Sequence, residues 1–311
     1  MTKAPAWPLC PPGVERWLTT SDGIGLRALL WPRPEARGTV LILNGRTEYA
    51  EKYGEAALAL QAAGFSAATL DWRGQGLSQR LLPDPRKGHV SRFRDYQLDL
   101  AALTAVLRAP DFPEPFFMLA HSMGGAIGLR ALAEGLPVKA AVFLAPMWGI
   151  RLPGPIGGLA LQTFTATART PLAAHYAPPP AGGAAPSFEL RGFTGNPLTG
   201  DPARWRQMGD YLRAHPDRDI AGPTVGWLAE ALAECRALRA LPSPALPCLT
   251  LSGAHERIVS LTAIRHRLSL WPQAVYHEWA GAAHELLMEA PATREAVLAG
   301  ISVFLRSHAP G

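Results

Sequence analysis

The chain has 311 residues, is 48% hydrophobic and carries a formal net charge of +5, so it can bury the core of one large domain or two modest ones; no apolar run reaches transmembrane length without an Arg, Pro or Gly interruption. Its basic residues alternate with acids instead of gathering into a tract that would neutralise many phosphates at once, which excludes a nucleic-acid-binding segment. Cys10, Cys235 and Cys248 are too few and too scattered for a disulfide framework or a metal cluster, and the proline-broken first twelve residues do not read as a secretory leader, so a reducing cytoplasm is expected.

Val14 to Thr20 and Ile24 to Trp31 read as strands joined by Ser21-Asp22-Gly23, a hairpin signal that places them at an antiparallel edge. Thr39 to Leu43 is a continuous β-branched and apolar run, suited to a strand covered on both faces. A helix follows over Ala50 to Ala63, with Tyr53, Ala57 and Leu60 at helical spacing, and Gly64 closes it. Phe65 to Leu70 is the next buried strand, and Gln79 to Ser91 is a polar connection. Phe93 to Arg108 reads as a helix, Phe116 to Ala120 as a strand, and Ala140 to Leu144 as another. Alternating strands and helices predict a mostly parallel α/β sheet with helices on both faces. From Gly149 the texture turns rich in Gly, Pro and Ala, then helical over Trp205 to Arg213 and Gly226 to Arg239. Residues 148–244 are therefore expected to be an inserted, mainly helical cap, with 1–147 and 245–311 forming the core. Core texture returns with a strand at Cys248 to Gly253, a helix near Leu261 to Leu270, a strand at Ala274 to Trp279 and a last helix over Pro291 to Arg306.

One apolar run stops abruptly at a serine set among small residues, Ala120-His121-Ser122-Met123-Gly124-Gly125. Strand, sharp turn and helix is the arrangement that G-x-S-x-G marks, and it lifts a serine hydroxyl beyond the strand's C-terminal edge. Ala120 replaces the first glycine and is still small enough for close packing. A serine hydroxyl needs a base within hydrogen-bond reach and an acid that orients the base. Glu256 and His284 follow in that order, each just after a predicted strand, where open parallel sheets place their chemistry. His121 adjoins the serine but is expected to point elsewhere, and His255 falls at the acid's place in the order. The backbone N–H groups of Met123 and Arg46 are the candidate oxyanion donors. The Arg46 side chain is expected to pair with Glu48, an anionic substrate being the alternative.

With these residues assembled, the chain resembles the lysophospholipase and monoacylglycerol lipase branch of the α/β-hydrolase superfamily, also described as serine aminopeptidase-like, and is similar to bacterial lysophospholipases. The resemblance rests on Asn44-Gly45-Arg46-Thr47-Glu48, where Asn44 departs from the usual histidine, on Asp71 to Ser78, on Gly88-His89-Val90 and on the serine turn. Ala145-Pro146-Met147, Gly222-Pro223-Thr224 and the glutamate at Glu256 add to it. It implies an α/β-hydrolase fold and a triad of Ser122, Glu256 and His284. Arg46 and Met123 would be the oxyanion donors, and the cap would cover an acyl-chain pocket. Neither a metal nor an organic cofactor is implied. The expected partner is a small lipid or ester substrate, with peripheral contact to the inner membrane face through the cap as a further prospect. Leu152, Ile156, Leu159, Leu161 and Phe164 motivate the lipid expectation, and Arg191, Arg204, Arg206 and Arg213 are candidates for a phosphate head group. The alternatives are a small-ester esterase, an amidase or aminopeptidase reading an amine with Glu230 and Glu234, and an inactive lipid-binding module.

Overall fold

The computed structural model describes residues 7, 10–151, 170–178 and 184–310. Strands β1 (Val14–Thr19) and β2 (Gly25–Trp31) form the expected antiparallel hairpin. They lead into β3 (Thr39–Leu43), β4 (Ser66–Leu70), β5 (Phe116–His121), β6 (Val138–Leu144), β7 (Cys248–Gly253) and β8 (Ala274–Trp279). These make one eight-stranded sheet in the order β1-β2-β4-β3-β5-β6-β7-β8. β2 meets β4 antiparallel, and every pairing from β4 to β8 is parallel.

Parallel strands joined by helical crossovers are covered on both faces, so they read as unbroken apolar runs. Successive residues then alternate between two cores. Leu41, Leu43, Met118, Ala120, Ala141 and Phe143 face one, and Val40, Ile42, Phe117, Leu119, Val142 and Leu144 face the other. Helices α2 (Tyr96–Val106), α3 (Met123–Ala133), α5 (Val225–Ala240) and α6 (Leu261–Ser269) cover the first face. Helices α1 (Gly54–Ala62), α4 (Pro202–Ala214) and α7 (Pro291–Ser307) cover the second. Two predicted helices begin later than their sequence periodicity suggests, each with a 3₁₀ turn in front, Ala50–Tyr53 before α1 and Phe93–Asp95 before α2. In both, a side chain from elsewhere takes the first free N–H: Asp71 Oδ1 at 2.8 Å from Ala50 N, and Glu230 Oε2 at 2.9 Å from Phe93 N.

Among the described residues, the stretch between β6 and β7 contributes no strand to the sheet, only the isolated bridges Ile150 to Val259 and Tyr176 to Thr224. Its helices α4 and α5 dock on opposite faces of the core. Leu152, Ile156, Leu159, Leu161 and Phe164 lie outside the described residues.

The glycines that open α3 sacrifice helix propensity for proximity. A Cβ on Gly124 would stand 2.0 Å from the carbonyl oxygen of Leu43 at the end of β3, whereas one on Gly128 would meet the flexible Met118 thioether at 2.7 Å. Gly124→Ala is therefore expected to cost about 1–3 kcal/mol or more in urea unfolding, since rigid backbone must shift. Gly128→Ala is expected to cost less, because the thioether can rotate away.

Candidate active site

The chain runs from β3 outward to β4 and then returns past β3 to β5. Connections diverge at this reversal, and a crevice opens beyond the C-terminal ends of β3 and β5, which lie side by side with Leu43 opposite Ala120. The Asn44 to Glu48 loop leaves one strand and Ser122 leaves the other. β7 and β8 carry the loops of Glu256 and His284 to the same end of the sheet.

Ser122 sits at φ 49° and ψ −115°, a conformation L residues rarely adopt. Its N–H donates to Leu144 O at 3.0 Å, and its carbonyl accepts from Gly125 N at 2.9 Å and Met147 N at 2.8 Å. Ser122 Oγ lies 2.9 Å from His284 Nε2, and His284 Nδ1 lies 2.6 Å from Glu256 Oε2. An ionised carboxylate only accepts, so Nδ1 carries the hydrogen and Nε2 is left to accept the serine proton. Glu256 is held in turn by the backbone N–H groups of Ile258 at 2.6 Å and Val259 at 3.0 Å, both on Oε1. Burial alone would raise the Glu256 pKa, but His284 and these amides bring it below the usual range. Burial opposes charge on His284 as well, yet the carboxylates of Glu256, Glu285 and Glu48 raise its pKa above the ordinary imidazole value. The structure thus brings together the three residues singled out in the sequence. His255 is exposed on the Glu256 loop, outside that line.

Met123 is the first residue of α3, so its N–H has no acceptor within the helix. Gly45 and Arg46 line the same cavity as Ser122 and His284. The Arg46 side chain corrects the sequence expectation: it does not pair with Glu48. Its Nη2 donates to Ala221 O at 3.0 Å, and the guanidinium lies 4.9 Å from the ring centre of Trp227.

Glu48 is instead part of a buried group that sequence reasoning missed. Its Oε2 accepts from the Gly45 N–H, in a short contact, and from Tyr53 Oη at 2.6 Å. Its Oε1 is 3.0 Å from Lys52 Nζ, which reaches Glu285 Oε1 at 2.8 Å. One ammonium therefore ties the Asn44 to Glu48 loop to the residue after His284. Glu48 and Glu285 share this cation away from water, with Glu189 Oε1 3.9 Å from it as well, and their affinities for protons separate: despite burial, Lys52 and neighbouring donors hold Glu48 low, while burial pushes Glu285 up to about 7. Glu48, His121 and Glu285 are also placed closely enough to hold a cation, and the Lys52 ammonium is bonded to both of these carboxylates. His121 does point away from Ser122: its Nδ1 donates to Leu144 O at 3.1 Å, and its ring packs 4.9 Å from that of His284. Burial lowers its pKa to about 4, so it stays neutral beside the base. The signal for this group was the short spacing of Glu48 and Lys52 across the entry to the first 3₁₀ turn.

Ser122, His284, Gly45, Arg46, Glu48 and Glu285 stand on the wall of a cavity of about 620 Å³. Met147, Ile150, Leu198, Trp227, Leu228 and Ile258 give it apolar surface, and Arg46, Arg151, Arg191 and Arg257 give it guanidiniums. Of the arginines proposed from sequence for a phosphate, only Arg191 lines this space. Arg204 is buried against Glu55 and Arg213 pairs with Asp210, while Arg206 lies exposed on α4 away from the cavity lining. Glu230 and Glu234 do not form an amine site either: one accepts from Phe93 N, and the other pairs with Arg130 at 2.7 Å.

Residues 34–291 match the family described as "Serine aminopeptidase, S33". The chain is 34% identical over 308 residues to lysophospholipase L2 of Escherichia coli, covering 94% of this chain and 88% of that protein. It is 30% identical over 287 residues to a probable lysophospholipase L2 of Haemophilus influenzae, covering 91% and 88%. A soluble variant of monoglyceride lipase from Saccharomyces cerevisiae superposes with a TM-score of 0.76 at 18% identity, over 99% of this chain and all of that one.

Removing the ammonium at the centre of the buried group would leave Glu48 and Glu285 facing each other without a cation. Lys52→Met is expected to lower stability by about 3–5 kcal/mol at neutral pH, with partial recovery when Glu285→Gln is added. Urea denaturation of the single and double variants would check this, and a loss below about 1 kcal/mol would contradict it.

Proposed function

The chain belongs to the serine aminopeptidase S33 family of α/β-hydrolases, and from that membership we propose a serine carboxylic ester hydrolase acting on single-chain lipids, lysophospholipids or monoacylglycerols. The observation that carries this reading is the hydrogen-bonded line from Ser122 through His284 to Glu256, with Ser122 and His284 on the wall of a largely apolar cavity. Ser122 Oγ attacks the ester carbonyl carbon while His284 Nε2 takes its proton, and Glu256 stabilises the imidazolium. The carbonyl electron pair moves onto oxygen, where the N–H groups of Met123 and Arg46 receive it. Collapse of this intermediate expels the glycerol oxygen, to which His284 gives its proton, and leaves the acyl chain on Ser122. Water, deprotonated by the same imidazole, then releases the fatty acid and restores the serine.

Residues 148–244 act in this reading as a cap over the acyl pocket. Their described part supplies Ile150, Trp227 and Leu228 to the cavity. An ester is preferred over a substrate with a free amine because Glu48 and Glu285, the carboxylates on the cavity wall, are both engaged by Lys52. Relatives named lysophospholipase support the lipid assignment.

Labelling by a fluorophosphonate probe is expected in the wild type and is lost in Ser122→Ala; retained labelling in that variant would refute the nucleophile. Because His284 must be unprotonated to act and its pKa is raised, kcat/KM should rise with pH through a limb lying above the ordinary imidazole value of about 6.5. Glu256→Gln should move that limb to lower pH and cut kcat by about 10³ to 10⁴. Turnover of acyl-matched lysophosphatidylcholine, monoacylglycerol and a p-nitrophenyl ester would provide these profiles, and absence of acyl hydrolysis on all three would refute the reading.

A further inference from the structure

Burying a guanidinium is costly unless a carboxylate or a full set of acceptors compensates it. The buried arginines of the described residues obey this rule. Arg27 lies 2.7 Å from Glu15 and from Glu51, Arg73 is 2.7 Å from Asp99, and Arg130 is 2.7 Å from Glu234. Arg204 is bonded to Glu55, and Arg218 stands 3.3 Å from Glu51. Arg267 has no carboxylate, but it donates to the carbonyls of Leu238 and Leu241 and to Ser243.

Arg46, half-buried as a residue, follows a different pattern. Among the described residues it makes one side-chain hydrogen bond, to Ala221 O, and its Nε is shut away from solvent without a partner. One face is covered by Trp227. Burial lowers its pKa to about 10, which still leaves it charged at neutral pH. The wall it stands on carries three further guanidiniums, all exposed and, among the described residues, none paired with a carboxylate. Arg151 is steadied by Glu256 O at 3.1 Å, Arg191 by Pro186 O at 2.8 Å, and Arg257 by Gly195 O at 3.2 Å. The acids on the same wall, Glu48 and Glu285, are turned to Lys52. The cavity therefore presents an uncompensated positive lining beside the nucleophile, and guanidinium forks suit phosphate oxygens.

On the premise that the site is the ester hydrolase described above, we propose that Arg46 is the inner ligand of a phosphate subsite whose rim is Arg151, Arg191 and Arg257. The preferred substrates are then lysolipids bearing a phosphate head group, with neutral monoacylglycerols turned over less efficiently. The phosphate is fixed on Arg46 while the ester carbonyl reaches Ser122, so the head group contributes to positioning of the bond to be cut.

The test compares kcat/KM for 1-oleoyl lysophosphatidylglycerol with that for monooleoylglycerol in the same neutral micelles. In Arg46→Met the ratio of the two is expected to fall at least tenfold, mainly through KM of the phospholipid, whatever loss both substrates share. Arg46→Lys is expected to restore part of it. The double variant Arg151→Gln with Arg257→Gln, altered only at the exposed rim, should lower the ratio severalfold and weaken its dependence on salt. An unchanged ratio in both Arg46→Met and the rim variant would overturn the proposal. So would inhibition by inorganic phosphate that depends on Arg46 without any head-group discrimination, since that describes a free-anion site. A wild type that labels with fluorophosphonate but hydrolyses neither lipid would refute the lipid reading itself.

Discussion

Ser122 is held at a positive φ in the turn between β5 and α3, and the geometry around it can be traced to that constraint. A non-glycine residue in such a conformation costs about 1–3 kcal/mol, so its surroundings must over-determine it. Here the end of β6 accepts its N–H, while Gly125 and Met147 both donate to its carbonyl. The turn is thereby fastened to the neighbouring strand and to the first residues of the stretch inserted after β6. Close approach of α3 to the end of β3 is the second requirement, and Gly124 meets it by bringing no side chain against the Leu43 carbonyl. With β3 and β5 adjacent, a serine forced out of one strand necessarily stands beside the loop that leaves the other.

That loop needs its own support, which comes from buried charge. Glu48 holds the Gly45 N–H, Gln75 Oε1 accepts from Thr47 N at 2.6 Å, and Asp71 accepts from Ala50 and Leu77. Through Lys52 the first of these contacts is joined to Glu285, adjacent to His284. The loop offering backbone donors and the loop offering the base are therefore coupled by a single ammonium. The same group of charges acts at a distance on His284, since Glu285 and Glu48 add to Glu256 in favouring its protonated form. Neutral His121 lies between as a packed spacer.

Elements whose identity depends on local pattern were legible in the sequence. The β-branched run at Thr39 to Leu43, the Asp22-Gly23 hairpin and the strand–serine–helix turn all reappear, because burial on two faces, a tight turn and a close helix approach each demand particular residue types in consecutive positions. Ser122, Glu256 and His284 were likewise readable from their order after strands. Pairing partners of long side chains were not. Arg46 and Glu48 are neighbours in sequence, which suggested a pair. In the fold Glu48 turns inward to Gly45, Tyr53 and Lys52, whereas Arg46 reaches across to Ala221, far along the chain. Glu285 carries no sequence signal beyond its place after His284, yet it is buried and bonded to Lys52 beside the site. The α4 arginines offered for a phosphate failed for a similar reason: the helix is amphipathic, and the face carrying Arg204 is turned to Glu55 on α1.

The contacts that hold the inserted stretch suggest how selection and chemistry are divided. Its return toward α5 is pinned to core loops at several points: Arg86 to Asp219, Tyr176 to Asp84, His89 to Thr224 and Arg46 to Ala221. Three of these attach to the polar connection after β4, remote from bond cleavage. The fourth attaches to the residue whose backbone N–H faces the developing oxyanion in the mechanism proposed here. A displacement of the stretch near Ala221 would therefore act on the oxyanion loop through the Arg46 side chain, while Glu48 and Lys52 resist it from behind. In the proposed mechanism, substrate contacts made by this stretch would alter transition-state stabilisation without touching Ser122 or His284, and Arg46, bonded to Ala221, would be the residue that links the two.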